Sequence, residues 1–329
     1  MRRPATVLAL VLALTACSGG DETGAGPSTP APSSPSTSPP SRPSEPTPSP
    51  SELPVEPPPL AVGDARAATA VGTVRFLADE VGPRPGHTPA YRRAADWVQQ
   101  RFEALGWDVE QQPFPTPAGS YEGVTLDAGP STNVVATRRD LVEGEPWLLV
   151  GAHLDTVPQG PGAEDNASGV GVVLALAEAL AGRRSRLPVV LVAFGSEEPR
   201  GPSDDEHHYG SRAYVATLSP AQRRSLRAMV SLDRVGVGTT VPVGTPAEPN
   251  ALTDELQAAA RRAGVPTAID PFQRSSDHWS FVRDGLPGAR IGSTPYAGYH
   301  GPGDVPAVVE RDQLERVARL MTAWLAPRR

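Results

Sequence analysis

Five apolar runs of strand length punctuate the chain, at residues 132–137, 147–152, 188–194, 228–232 and 289–292. Their side chains do not alternate apolar with polar, so strands built from them need cover on both faces. Helical stretches at 170–181, 251–263 and 311–325 can supply that cover. The pattern implies an α/β fold: a three-layer sandwich with a mixed, mostly parallel central sheet flanked by helices. Upstream, residues 65–81 and 89–105 read as two further helices. In the second, Ala94, Ala95, Trp97, Val98, Phe102 and Leu105 recur at helical spacing and Gly106 ends it. In sheets of this kind a ligand sits beyond the carboxyl ends of the strands. The residues just past each run are therefore informative: His153 and Asp155 after the second, Glu197 and Glu198 after the third, Asp233 after the fourth, Tyr299 and His300 after the last.

Composition divides the chain before residue 61 from the rest. Of the 39 prolines, 14 fall within residues 21–59, with Ser and Thr filling most other positions. Such a segment has too little apolar surface to offset its ordering entropy and reads as a disordered linker. Extended polyproline chain of this size reaches on the order of 100 Å. Before it, two arginines precede an apolar run at 5–16 that is too short to span a bilayer, the pattern of a secretory signal peptide at 1–16. The run ends Leu14-Thr15-Ala16-Cys17, which resembles a bacterial lipobox. The expectation is an exported protein anchored to the outer face of the cell membrane through lipidated Cys17, with residues 17–60 as spacer and 61–329 as the folded domain. Cys17 is the only cysteine, so any metal in the domain must be held by His and carboxylates. A net charge of −7 without a basic patch argues against a nucleic-acid partner, and nothing in the sequence specifies an oligomeric state.

Two imidazoles and several carboxylates converging on one sheet edge form a nitrogen and oxygen ligand set suited to zinc, with cobalt or manganese as alternatives. Without a cation the carboxylates would repel one another strongly. The segments Gly151-Ala152-His153-Leu154-Asp155, Asp165-Asn166-Ala167-Ser168-Gly169, Glu197-Glu198, Gly210-Ser211-Arg212-Ala213-Tyr214, Ser276-Asp277-His278 and Tyr299-His300 occur in the order found in the M28 zinc metallopeptidases. From about Thr69 onward the chain resembles that family, whose aminopeptidases carry two co-catalytic zinc ions.

The resemblance implies a zinc exopeptidase-like fold and an aminopeptidase that hydrolyses N-terminal peptide bonds of peptide substrates. It implies that His153 and Asp233 bind one zinc ion, Glu198 and His300 the other, and that Asp165 bridges them. Asp155 would orient the His153 ring, and Glu197 would act as general base toward the attacking water. Tyr299 matches the family tyrosine whose hydroxyl stabilises the oxyanion. Asp277 and His278 match a motif beside the substrate pocket, although His278 reads equally well as a hydrogen-bonded core residue. His207 and His208, in the Pro/Gly/Asp-rich segment 199–209, read as exposed, and His87 as structural. That segment is longer than the turn many family members use, which bears on substrate preference. Two other functions compete: a glutaminyl-cyclase-like zinc acyltransferase, and a catalytically inactive binding ectodomain.

Overall fold

The computed structural model describes residues 56–328. The expected signal peptide, Cys17 and all but the end of the linker lie outside the described residues. The linker's last residues already belong to the fold, since Leu60 is buried and its N–H donates to Arg184 O at 2.9 Å.

Helix α1 (Ala67–Arg75) runs on into a wider-wound turn, Phe76–Val81, and α2 (Pro89–Ala104) comes after the loop at 82–86. The start of α2 is set locally: Pro89 fits the first helical turn, and the Thr88 hydroxyl accepts the Tyr91 N–H at 3.2 Å. The strands are β1 (Asp108–Thr116), β2 (Gly119–Tyr121), β3 (Val124–Leu126), β4 (Gly129–Thr137), β5 (Trp147–His153), β6 (Val189–Phe194), β7 (Leu226–Asp233), β8 (Val241–Gly244), β9 (Thr267–Asp270) and β10 (Gly288–Gly292). The remaining helices are α3 (Gly169–Ala181), α4 (Tyr209–Thr217), α5 (Pro220–Ser225), α6 (Ala251–Ala263), α7 (His278–Val282) and α8 (Arg311–Leu325).

Eight strands form one sheet in the order β1-β4-β6-β5-β7-β10-β8-β9, and β2 pairs with β3 in a separate hairpin. The central strands β6, β5, β7 and β10 are mutually parallel, so their carboxyl ends share one edge. Outside this centre, β1 with β4, β4 with β6, and β8 with β10 are antiparallel. All five apolar runs are strands and the sheet is mixed, as expected.

The non-alternating runs are explained by cover on both sides. On β6, Val189, Leu191 and Ala193 pack into the larger core with α1, α2, α3, α6 and α8. Val190, Val192 and Phe194 point the other way, to a smaller core that includes Tyr214, Val215 and Phe281 of α4 and α7. Residues 108–116 lack an apolar signal because β1 is an edge strand with two prolines, Pro113 and Pro115, which a central ladder would not tolerate.

Candidate metal centre

Each cleft residue sits where a strand stops. His153 closes β5, Glu197 and Glu198 lie three and four residues past the end of β6, Asp233 closes β7, and His300 lies in the loop after β10. Asp165 belongs to the turn Ala163–Ser168 ahead of α3. That turn is pinned by Asp304, whose carboxylate accepts the N–H of Glu164 at 2.7 Å and of Asp165 at 3.0 Å. Ser196, His208, Arg234 and His300 all have left-handed backbone, with φ of 49°, 57°, 54° and 54°. Non-glycine residues adopt that region at a cost and gather at functional sites.

The two oxygens of Asp165 face different histidines. Oδ1 lies 3.1 Å from His153 Nε2, and Oδ2 lies 3.3 Å from His300 Nε2. Glu198 Oε2 is 3.2 Å from His300 Nε2, and Asp233 Oδ1 is 3.7 Å from His153 Nε2. All five residues are buried. Among the described residues, two trios have donor atoms close enough for one ion: His153, Asp165 and Glu198, and His153, Glu197 and Asp233. Glu198 Oε1 and Asp233 Oδ1 are buried without a hydrogen-bond partner, which is costly unless a cation completes them. Imidazole nitrogens, carboxylates and orphaned oxygens together fit zinc.

Proton affinities record the crowding. Burial pushes the carboxyls of Glu197 and Glu198 up to about 8, with Asp165 adding to the shift at Glu198. Burial opposes the charged form of His300, but Glu198 and Asp165 outweigh it and push the ring up to about 12. Burial likewise opposes ionisation of Asp165, yet His153 and His300 hold it below the usual carboxylate range. Without metal the two raised carboxyls keep protons that the unfolded chain releases, so their stabilisation is full below about pH 4.5 and is lost as pH rises toward 8, while that of His300 is full below about pH 6.5 and is lost toward 12. Asp165 acts in the opposite sense, and only in acid. Stripping zinc is therefore expected to lower Tm by about 5 °C or more at pH 8 and by less at pH 5. A gap between loaded and stripped protein that fails to widen with pH, measured by calorimetry, would contradict this.

The other expected residues divide. The Asp155 carboxylate accepts the N–H of Glu197 at 3.0 Å and of Glu198 at 3.2 Å, holding the glutamate turn. Its Oδ1 is 3.7 Å from His153 Nδ1, whereas its backbone oxygen is nearer, at 3.2 Å. Tyr299 is 46% exposed, with its ring stacked on His300 at 3.8 Å. Burial and the Asp165 charge raise its hydroxyl above the ordinary value, so it remains a donor. His278 is a core residue: it is fully buried, with Nε2 3.0 Å from Gln273 O, and does not line the cleft. Asp277 is equally buried, and neither carboxylate oxygen has a partner. His87 Nδ1 lies 2.8 Å from the Arg200 guanidinium, a structural contact.

The exposed reading of His208 is overturned. The residue is 3% exposed, with Nε2 3.1 Å from Glu197 Oε1 and its N–H donating to Glu197 O at 2.9 Å. The loop that carries it is folded inward by Arg200, whose guanidinium reaches Pro117 O at 2.7 Å and Asp127 O at 2.9 Å. Burial lowers the His208 ring to about 4, so it is neutral at pH 7 and stands beside Glu197 without adding charge, its Nε2 making no hydrogen bond to a described residue. His208→Leu is expected to lower kcat about tenfold and leave KM within about twofold, with His208→Gln retaining more activity. Equal kcat in the Leu variant and the wild type would remove His208 from the machinery. Tyr121 is a cleft residue that the sequence does not single out: its hydroxyl lies 2.9 Å from His300 Nδ1, so it orients that ring from the β2–β3 hairpin. A lone Tyr in a polar stretch carries no periodic signal.

The sequence profile of peptidase family M28 matches residues 133–325. The chain belongs to this family. Related sequences include the uncharacterized protein YfbL of Escherichia coli, 31% identical over 179 residues, 52% of this chain and 50% of that protein. Aminopeptidase YwaD of Bacillus subtilis is 29% identical over 205 residues, 59% of this chain and 44% of that protein. This M28 chain thus spans about half the length of the curated relatives it matches. BSAP, a zinc aminopeptidase from Bacillus subtilis, superposes with a TM-score of 0.71 at 18% identity, covering 80% of this chain and 96% of that one. Glutaminyl cyclase from Porphyromonas gingivalis superposes with a TM-score of 0.69 at 23% identity, covering 79% and 98%. At these identities the likeness is one of fold, shared by a zinc aminopeptidase and a glutaminyl cyclase.

Proposed function

We propose that the chain is a zinc-dependent exopeptidase, an aminopeptidase that hydrolyses N-terminal peptide bonds with a dinuclear metal site. The observation that carries this reading is Asp165, whose two oxygens each face a different histidine, each of those beside a further carboxylate. His153, Asp233 and one oxygen of Asp165 would hold one ion; Glu198, His300 and the other oxygen would hold the second. When bound, zinc would lower the pKa of the attacking water and stabilise negative charge on the scissile carbonyl oxygen.

The protein's own groups do the rest. Glu197 takes the proton from the attacking water and passes it to the leaving amine, with Asp155 holding its backbone in place and the neutral His208 ring beside its carboxylate. Tyr299, protonated at the mouth of the cleft, donates to the developing oxyanion. Tyr121 fixes the tautomer of His300.

The fold likeness to a glutaminyl cyclase sustains a second reading, an acyl transfer within N-terminal glutaminyl peptides. The full chain assayed with amino-acid 4-nitroanilides and glutaminyl peptides separates the two. Release of 4-nitroaniline that stops on chelation and returns with zinc is expected. Hydrolysis that survives chelation would overturn the mechanism, and ammonia release without cleavage would promote the cyclase.

A further inference from the structure

The metal cleft, about 230 Å³, has a larger neighbour of about 760 Å³, and Arg234 and Tyr299 line both. Among the described residues, three charged side chains line the larger cavity: Arg234, Arg290 and Asp270, two cations against one anion. Arg290 is largely engaged, since it donates to Asp270 Oδ2 at 2.9 Å and to Ser275 Oγ at 2.7 Å. Arg234 is not. Its guanidinium makes no hydrogen bond to any described residue; its nearest carboxylate, Asp233 Oδ1, is 3.7 Å from Nε, beyond hydrogen-bond range. It is held in position all the same. Its N–H donates to Asn166 Oδ1 at 3.2 Å, its carbonyl accepts the Ser293 N–H at 2.8 Å, and its Cζ lies 4.4 Å from the centroid of the Tyr299 ring. A fixed planar cation with free N–H donors, facing both the reacting centre and an adjoining cavity, matches a carboxylate in charge and fork geometry.

We propose that Arg234 makes the junction of cleft and cavity a carboxylate-binding subsite, so that the preferred peptides carry a carboxylate beside the scissile bond. This rests on the peptidase reading above. The carboxylate has two chemical sources: the side chain of an N-terminal Asp or Glu, or the terminal carboxylate of a dipeptide. If Arg234 served only as ion partner to Asp233, its loss would slow charged and neutral substrates alike.

The test measures kcat/KM on the zinc-loaded full chain for two isosteric pairs. Glu-4-nitroanilide against Gln-4-nitroanilide reports the side-chain source, and Leu-Gly against Leu-Gly amide reports the terminal one. At least one charged member is expected to lead its neutral partner by about tenfold or more, the size of a charge-assisted hydrogen bond. Arg234→Met should bring that ratio to near one, and Arg234→Lys should keep part of it. Ratios near one in the wild type, or a preference that Arg234→Met leaves intact, would overturn the inference while neutral substrates still report a working peptidase. If no substrate of either pair is hydrolysed, charged or neutral, the peptidase reading has failed. The same pairs titrated by calorimetry then decide the subsite: about tenfold tighter binding of a charged member, lost in Arg234→Met, supports it, and equal binding overturns it.

Discussion

On the dinuclear reading proposed above, Glu197→Gln is expected to lower kcat by about a thousandfold or more, a loss near 4 kcal/mol of transition-state stabilisation, with zinc content unchanged. The amide keeps the shape and contacts of the side chain but cannot take a proton. Metal content is the deciding companion measurement, because Glu197 also belongs to one of the two trios whose atoms could share an ion. Elemental analysis of Glu197→Gln should match the wild type, whereas Glu198→Gln, which removes an oxygen facing His300, should lose about one ion per chain. Loss of zinc from the Glu197 variant would make it a ligand and move the general base elsewhere. Retained turnover would remove it from the chemistry altogether.

Arg84→Met should cost about 4 kcal/mol or more in folding stability, at the far end of the range for single substitutions. The guanidinium is fully buried and donates to five backbone carbonyls, those of Leu154 at 2.6 Å, Leu77 at 3.1 Å, Gly82 at 3.3 Å, Pro161 at 2.7 Å and Gly162 at 3.0 Å. Burial lowers its pKa only to about 10, so it remains charged at neutral pH. A methionine fills much of the volume and satisfies none of the carbonyls; Leu77 O and Gly162 O keep the N–H of Gly82 at 3.0 Å and of Ala167 at 3.1 Å, but those of Leu154, Gly82 and Pro161 lose the donor and cost about 1–3 kcal/mol each when left dry. Lysine should recover only part of the loss, since three donors on a point charge cannot reproduce a fork. Urea denaturation of the three proteins measures this, and a Met variant within about 1 kcal/mol of wild type would show that water replaces the arginine. Leu154 lies between His153 and Asp155, and Gly162 precedes the Asp165 turn, so zinc affinity is expected to fall together with stability.

The parts of the fold legible in the sequence are those buried on both faces. β5, β6 and β7 are continuous apolar runs with no other reading, and the ligand candidates stand just past their ends. Edge and peripheral strands are not legible. β1 alternates weakly and carries prolines, the β2–β3 hairpin has three-residue arms, and β8 begins Val241-Pro242 and is only four residues long. The site divides along the same line. Ligands announce themselves as charges after apolar runs. Tyr121 and Arg234 meet partners far away in sequence, His300 and Tyr299, and Arg84 looks like a loop residue because its five acceptors are backbone atoms with no side-chain signature. His208 misleads for a specific reason: a Pro/Gly/Asp-rich segment is normally solvated, and here Arg200, with the N–H groups of His208 and Tyr209 bonded to Glu197 O and Ser196 O, folds it inward.

The position of β10 has a consequence for the order in which the site comes into being. It is the last strand in sequence, yet it sits inside the sheet, bonded to β7 on one side and β8 on the other. His300 and its partner Tyr121 are 179 residues apart, so the second imidazole and the hydroxyl that orients it meet only through the tertiary fold, with β10 in the sheet. A nascent or truncated chain would gather acidic groups around a single histidine and hold a divalent cation poorly. High metal affinity would therefore require β10 seated between β7 and β8, so that His300 stands beside Asp165 and Glu198.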